Sequence, residues 1–421
     1  MAVKKRILAA VLAAVALGSC GEAPVVHEQV EQTEITLSWW GNDIRNEYTI
    51  EAMQRFEELH PEIKVKCNYS EWSGYEARSK VQMISGTEAD VMQINVGWLT
   101  QYSEDGQGYY DIEKLTDIVD LTGFSEEILS YGRRNGVLNA VPIAMNAETL
   151  YINKTIYDRY GLDIPKTWDD LFKAAEVMKG DSVFPVAAAS KSIWLYLIAY
   201  AEQQNGREIF NENSEICFKP EDFQLMIEFY NRLVTEGVIP KVEDYQRFNI
   251  DNGKYAGAVA WVSDAMNYYS GLTEEGAEIV AAPYTVFDGI ESGTGWYAKP
   301  ATLYAVSKNT EHPKEAAILL DFLLNSTQMA ELQGVEKGIP ISSSAREYLK
   351  EHGMLDGLQY EASQVMETNK LIKHMDPLIE NSDLYEEFLS ACDLVLFDKA
   401  SAEEAAQQLY DTYEEKYKMA Q

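Results

Sequence analysis

Eight tryptophans mark this 421-residue chain, and several stand where strands should end beside polar neighbours. Trp40 is followed by Gly41, Asn42 and Asp43, Trp72 follows Glu71, and Trp261 and Asp264 follow the small-residue stretch 256–260. Asn95 and Trp98 come after a short apolar run, and Trp296 and Tyr297 sit between Gly295 and Pro300 on what reads as an exposed, flexible loop. An indole offers a broad apolar face with few rotatable bonds, and a neighbouring amide or carboxylate accepts from hydroxyls. That pairing suits a ligand with C–H faces and hydroxyl edges, as a sugar has. A buried hydroxyl without a partner is costly, so such polar groups also discriminate between ligands. Each of these residues alone has a plainer reading as a core aromatic or a solvated polar group, and the weight lies on the cluster. Trp39, which alternates with Trp40, and Trp168 and Trp194 read as packing residues.

Other chemistries find less support. The five histidines are scattered without HExxH, and no GxSxG, Walker A or strand-borne GxGxxG is present, so no metal and no cofactor are expected. A glycosidase needs two carboxylates at a set separation, and among 68 acidic residues some pair always exists. Counting therefore does not decide it, but nothing positive signals an enzyme. Cys67, Cys217 and Cys392 are an odd set without CxxC spacing and read as buried thiols. The formal net charge of −33 opposes nucleic acid and anionic headgroups as partners.

The elements that must hold these residues alternate between short strands and amphipathic helices, an α/β pattern with mostly parallel sheets. Residues 35–40 alternate into a strand that stops at Gly41, and Tyr48, Met53, Phe56 and Leu59 follow at helical spacing until Pro61. Strands are expected over 63–67, 90–94 and 302–306, and a helix over 74–85 closed by Gly86. Thr167 should cap a helix with Asp170 as its reciprocal partner, and Pro313 should open one reaching Asn325. The tail over 348–419 reads as helical throughout.

The amino end carries Lys4, Lys5 and Arg6, then an apolar run over 7–17 that is too short for a permanent span, then Gly18, Ser19 and Cys20. This resembles an export signal ending in the lipobox of bacterial lipoproteins. The resemblance implies removal of residues 1–19, lipidation of Cys20, and a flexible tether over 20–33 that holds the protein on the outer face of the membrane.

Five segments together are similar to the family 1 extracellular solute-binding proteins of ATP-driven importers, the group that includes the maltose-binding protein. They are ITLSWWGN (35–42), SGTEADVMQINVGWL (85–99), VPIAMNAETLYINKTIYDRYGLDIPKTWDDL (141–171), GKYAGAVAW (253–261) and GWYAKPATLYAVSKNTEHPKEAAILLDFLL (295–324). The resemblance implies two α/β lobes of the periplasmic-binding-protein type II fold, hinged about a ligand cleft, with a C-terminal helical region. One lobe would hold 34–142 plus 303–342 and the other 147–298 plus 346–421, with crossings near 142–148, 300–303 and 341–345. It also implies a carbohydrate ligand, delivery to the membrane subunits of an ABC importer, and a monomer touching the membrane only through its lipid. The stretch holding Asn95 and Trp98 is where the family reads its ligand. Asn146 falls on a crossing where the maltose-binding protein has a carboxylate, Tyr385 matches an aromatic platform, and Asp90 matches a structural position. Peptide, polyamine or iron-complex binding on the same fold, and a surface adhesin, are the rival readings.

Overall fold

The computed structural model describes residues 32–245, 253–369 and 371–420. The expected first strand is present as β1 (Thr33–Trp40), and α1 (Asp43–Leu59) follows at once because Asn42 caps it by accepting from the Arg45 N–H at 2.9 Å. Next come β2 (Ile63–Ser70), α2 (Trp72–Ser85), β3 (Val91–Ile94) and α3 (Val96–Tyr102). Helix α2 starts two residues before the expected position, so Trp72 opens a helix instead of lying in a loop, and Gly86 ends it at φ 67°.

The strands join one sheet in the order β2, β1, β3, Tyr297–Val306, Ala140–Asn153, Gly257–Trp261, Ala187–Ala188. Strands β2, β1 and β3 are parallel, but Tyr297–Val306 and Ala140–Asn153 run antiparallel to each other and to their neighbours β3 and Gly257–Trp261. The sheet is therefore mixed, not mostly parallel as expected. The reason is the two long strands, which belong to both halves of the molecule. Val141 and Ile143 enter a core shared with β1, α1 and the helix Pro313–Asn325, whereas Leu150 and Ile152 enter a second core with Trp168, Trp194 and Tyr413. Likewise Tyr304 and Val306 serve the first core and Tyr297 the second. The result is two lobes, each closed on its own apolar interior, joined by paired strands. Pairing between those strands slips between Pro300 and Leu303, where the proline has no N–H to donate. Within the first lobe, the Ile341 N–H donates to the Ile143 carbonyl at 3.0 Å and ties the later segment to the long strand Ala140–Asn153.

Local signals hold where they are short-range. Thr167 and Asp170 form the capping box that opens Trp168–Met178. Asp90 has the structural role the family position implies: it accepts from the Thr36 N–H at 2.8 Å, the Thr36 hydroxyl at 2.7 Å and the Thr310 hydroxyl at 2.6 Å. The tail is the main departure. Helices Ser343–Glu351, Gly357–Thr368, Ser382–Leu396 and Ala402–Lys416 are interrupted by a short strand, Lys373–His374, and a 3₁₀ turn, Pro377–Glu380. Pro377 explains the turn, because Asp376 before it caps the Leu378 N–H at 2.8 Å. No helix among the described residues is long and apolar enough to cross a membrane.

Candidate functional site

Strand alternation separates the two adjacent indoles. Trp39 turns into the first core, stacks on Tyr69 at 4.8 Å and donates its indole N–H to Asn46 at 3.0 Å. Trp40 takes the other face and meets Trp72 at 4.9 Å edge-on, Tyr75 at 5.4 Å and Trp98 at 6.4 Å between ring centroids. Trp98 lies parallel to Tyr75 at 5.8 Å, and the Tyr75 hydroxyl is fixed by donating to the Gln93 carbonyl at 2.7 Å. Strand and helix ends from three segments thus converge on one aromatic wall. It has a buried floor, with Trp98 only 4% exposed, and an open rim, with Trp72 37% exposed. Asn42 and Asn95 stand beside it as caps of α1 and α3, and their side-chain oxygens accept from the N–H groups of Arg45 and Gly97. Each has its NH₂ as the group to offer. Asp43 is exposed in the first turn of α1.

On the second lobe, Trp261 ends its strand opposite Glu148 of the long strand. The Lys299 ammonium lies 4.8 Å from the Trp261 ring centroid and 2.5 Å from Glu380, whose other oxygen takes Lys191 at 3.0 Å. Burial draws the Lys299 ammonium toward its neutral form against the pull of Glu380. Burial likewise opposes the Glu380 charge, but Lys299 and Lys191 outweigh it and hold that carboxyl below its ordinary range. Asn146, expected to reach a ligand, is instead buried and occupied at both ends. Its NH₂ donates to the Ser263 hydroxyl at 2.9 Å and its oxygen accepts from the Ser263 N–H at 3.2 Å. It ties the crossing strand to the turn after Trp261. Asp264 is buried at the start of Ala265–Glu274.

Trp296 and Tyr297 do not lie on an exposed loop. Trp296 is 2% exposed and packs on Tyr284 at 4.5 Å and Tyr196 at 5.7 Å. Tyr297 begins a sheet strand and donates its hydroxyl to Glu202 at 2.5 Å. Burial pushes the Glu202 carboxyl up to about 7, although Tyr297 and the Ile209 N–H both support its charged form. The glycine that suggested a loop, Gly295, has φ 77° because it passes against Ala199, and so delivers both rings into the core. Tyr385, on Ser382–Leu396, is half-buried against the same core.

A crevice of about 810 Å³ opens between the lobes, walled by Thr100, Tyr131 and Arg134 on one side and Lys373, His374 and Asp376 on the other. Tyr131 and His374 stack across it at 3.6 Å with a 4° tilt. Of the sequence candidates only Tyr297 reaches this wall. The tryptophan wall remains the better candidate, because it combines preset aromatic faces with free amides. Lys191, Lys299 and Glu380 were missed by sequence reasoning: they come from three distant segments and carry no motif. The three thiols are free, but only Cys392 is buried and Cys67 and Cys217 are half-buried, a correction to the expected set. Burial lifts the Cys67 thiol to about 11. Among the described residues no group of three His, Cys, Asp or Glu could hold a metal ion. Cys20 lies outside the described residues.

Comparison with known proteins gives four consistent likenesses. Residues 42–330 match the family model for bacterial extracellular solute-binding proteins. A periplasmic solute-binding protein of Pectobacterium atrosepticum is 30% identical with a TM-score of 0.83, over 90% of this chain and 98% of that one. A periplasmic oligogalacturonide-binding protein of Yersinia enterocolitica, solved with saturated digalacturonic acid, is 29% identical with a TM-score of 0.80 over 91% and 98%. A multiple sugar-binding protein of Streptococcus mutans is 24% identical over 44% of this chain and 42% of its own length. The chain spans less than half the length of several curated relatives it matches.

Proposed function

We propose, from the premise that this chain belongs to the bacterial extracellular solute-binding proteins, that it captures a carbohydrate between its lobes and delivers it to the membrane subunits of an ABC importer. As a member of that family it works outside the cytoplasm. In this reading Cys20 is lipidated after removal of residues 1–19, and 20–33 tethers a monomer beside its importer, raising local concentration there. The lobes are 34–142 plus 303–342 and 147–298 plus 346–421, and closure pivots on the segments near 142–148, 300–303 and 341–345. The protein binds and releases its solute without transforming it.

The observation that carries the reading is the wall of Trp40, Trp72, Trp98 and Tyr75, rigid below and open above. A sugar ring laid on Trp72 gains stacking at little entropic cost, because the indole is already held in place. Contacts made with Trp261 on the other lobe would exist only in the closed form, so ligand shifts the population toward closure. The sugar-binding names of the Yersinia and Streptococcus relatives support the same class of solute. The test is thermal unfolding of the mature chain against oligosaccharides, peptides and polyamines. A solute at 100 times its Kd stabilises the fold by about 2.7 kcal/mol. Stabilisation by a polyamine or peptide, with none by any sugar, would sink the proposal.

A further inference from the structure

The crevice between the lobes holds a pair of opposite charges that face each other without touching. Arg134 lies on its first wall, in the segment between Leu129 and Leu138 of the first core. Asp376 lies on its second wall, between Met375 and Ile379 of the second core. Among the described residues the Arg134 guanidinium donates to the Arg133 carbonyl at 3.1 Å and the Thr100 hydroxyl at 3.0 Å, whereas its buried Nε–H has no acceptor. No carboxylate among them is bonded to it, although Arg133 beside it takes Glu113 at 2.8 Å and Glu126 at 2.9 Å. A dry donor on a cation is costly, and contact with a carboxylate removes that cost.

Asp376 is set to receive it. One of its oxygens accepts from the Ser214 hydroxyl at 2.7 Å and the other from the Leu378 N–H at 2.8 Å, so its direction is fixed while no cation is bonded to it. Burial draws the Arg134 guanidinium toward its neutral form, and the charge that opposes this is that of Asp376. The other charges of the crevice are placed differently: Lys373 takes Glu208 at 2.6 Å, and Glu212 is exposed. The walls already meet beside the pair. Tyr131, shortly before Arg134, stacks on His374, shortly before Asp376, at 3.6 Å, and the Tyr131 hydroxyl donates to the Ala298 carbonyl of the crossing strand at 3.4 Å. The stack thus stands at the pivot, and closure carries the residues beyond it on each wall toward one another.

We infer that Arg134 and Asp376 form an ion pair between the lobes on closure, a latch that is open in this structure and that prolongs the residence of a captured solute. Neither residue touches solute; both are positioning residues for the closed form. An ion pair made only there raises the population of that form without adding a contact to the ligand. The inference rests on the reading of hinged capture above and holds for any class of solute.

The test has two arms, both on the mature chain. Without solute, Arg134→Glu should enlarge the radius of gyration measured by small-angle X-ray scattering, because like charges then face across the crevice. Arg134→Glu combined with Asp376→Lys should return the radius to that of the parent, a recovery that misfolding cannot produce. With solute, digalacturonate and maltotriose are the probes. Arg134→Gln and Asp376→Asn should each speed release of a sugar that binds the parent by about fivefold, and the double variant should release it no faster than either alone. Glu212→Gln should leave both readings unchanged. A radius indifferent to Arg134→Glu, a charge swap that fails to restore it, or losses that add in the double variant overturns the latch. So does an effect of Glu212→Gln with none of Asp376→Asn. If neither sugar binds the parent, the scattering arm decides the latch by itself, and the carbohydrate reading is decided separately by the thermal screen above.

Discussion

Removing Trp72 and removing Trp98 should have opposite consequences, although both rings belong to one wall. Trp72 is 37% exposed and rests on Trp40 and Trp98, whereas Trp98 is 4% exposed and packed between Trp72 and Tyr75. A tryptophan presents up to about 250 Å². The open part of Trp72 is then roughly 90 Å², which at about 25 cal/mol per Å² corresponds to about 2 kcal/mol if a sugar covers it. Trp72→Ala should therefore raise Kd by roughly 30-fold. Its cost to stability should stay near ~1–2 kcal/mol, because only the buried part of the ring is lost from packing. Trp98→Ala instead empties a buried site and should cost about 3–5 kcal/mol of stability. The assay is calorimetric titration with the oligosaccharide that gives the largest thermal shift, beside urea unfolding of each variant. A Trp72→Ala variant that binds within twofold of the parent while remaining folded would refute the assignment of this wall to ligand. Loss of binding with Trp98→Ala alone would not rescue it.

Three further outcomes follow from buried groups. Glu202 titrates near 7 in the fold against an ordinary 4.5, so its contribution is complete below about 4.5 and is lost as pH rises through 7. Glu202→Gln should flatten the dependence of Tm on pH between about 5 and 8, with a gain on the order of 3 kcal/mol at the upper end; a parallel curve would contradict it. Lys337 is buried, donates to the Tyr304 hydroxyl at 3.0 Å, and is drawn down to about 7 first by burial and then by Arg45. Its contribution is present above the ordinary 10.5 and lost as pH falls to 7, so Lys337→Met should stabilise the protein by a few kcal/mol near pH 7 and by little near pH 10.5; equal effects at both, read by thermal unfolding, would refute it. Gly295→Ala should lower stability by more than ~2 kcal/mol, since φ 77° disfavours a side chain and the new carbon would stand 2.8 Å from the Ala199 carbonyl; an unchanged Tm would show that the segment yields.

What was legible in the sequence is what is local. The capping box at Thr167 and Asp170, the helix from Pro313 to Asn325, and the division of Trp39 from Trp40 by alternation each depend on residues within one element. What misled was context. Gly295 reads as loop because a glycine at positive φ is common there, yet here the same freedom lets the backbone pass Ala199 and seat Trp296 in the core. The helical tail was read from apolar spacing alone, which cannot register that residues 373–374 pair with Tyr297–Val306. Asn146 lies in the long strand Ala140–Asn153, but its partner Ser263 is 117 residues away, so its engagement was invisible. The lysine pair on Glu380 is the extreme case, with 189 residues between Lys191 and its acceptor.

The two crossing strands also constrain how the lobes can move. Each strand buries side chains in both cores, so neither can leave its lobe without exposing apolar surface. They also hydrogen-bond to each other from Ala140 paired with Ala305 to Ala147 paired with Ala298. Breaking that ladder would strand backbone donors and acceptors between the lobes, at a cost no single ligand contact repays. The place that yields most cheaply is the register slip between Pro300 and Leu303, where a donor is already missing. Twist concentrated there carries Lys299 and its partner Glu380 with the second lobe, and leaves Leu303 and Tyr304 with the first. In the proposed closure, a rotation about this point would move one lobe against the other without rearrangement of either core.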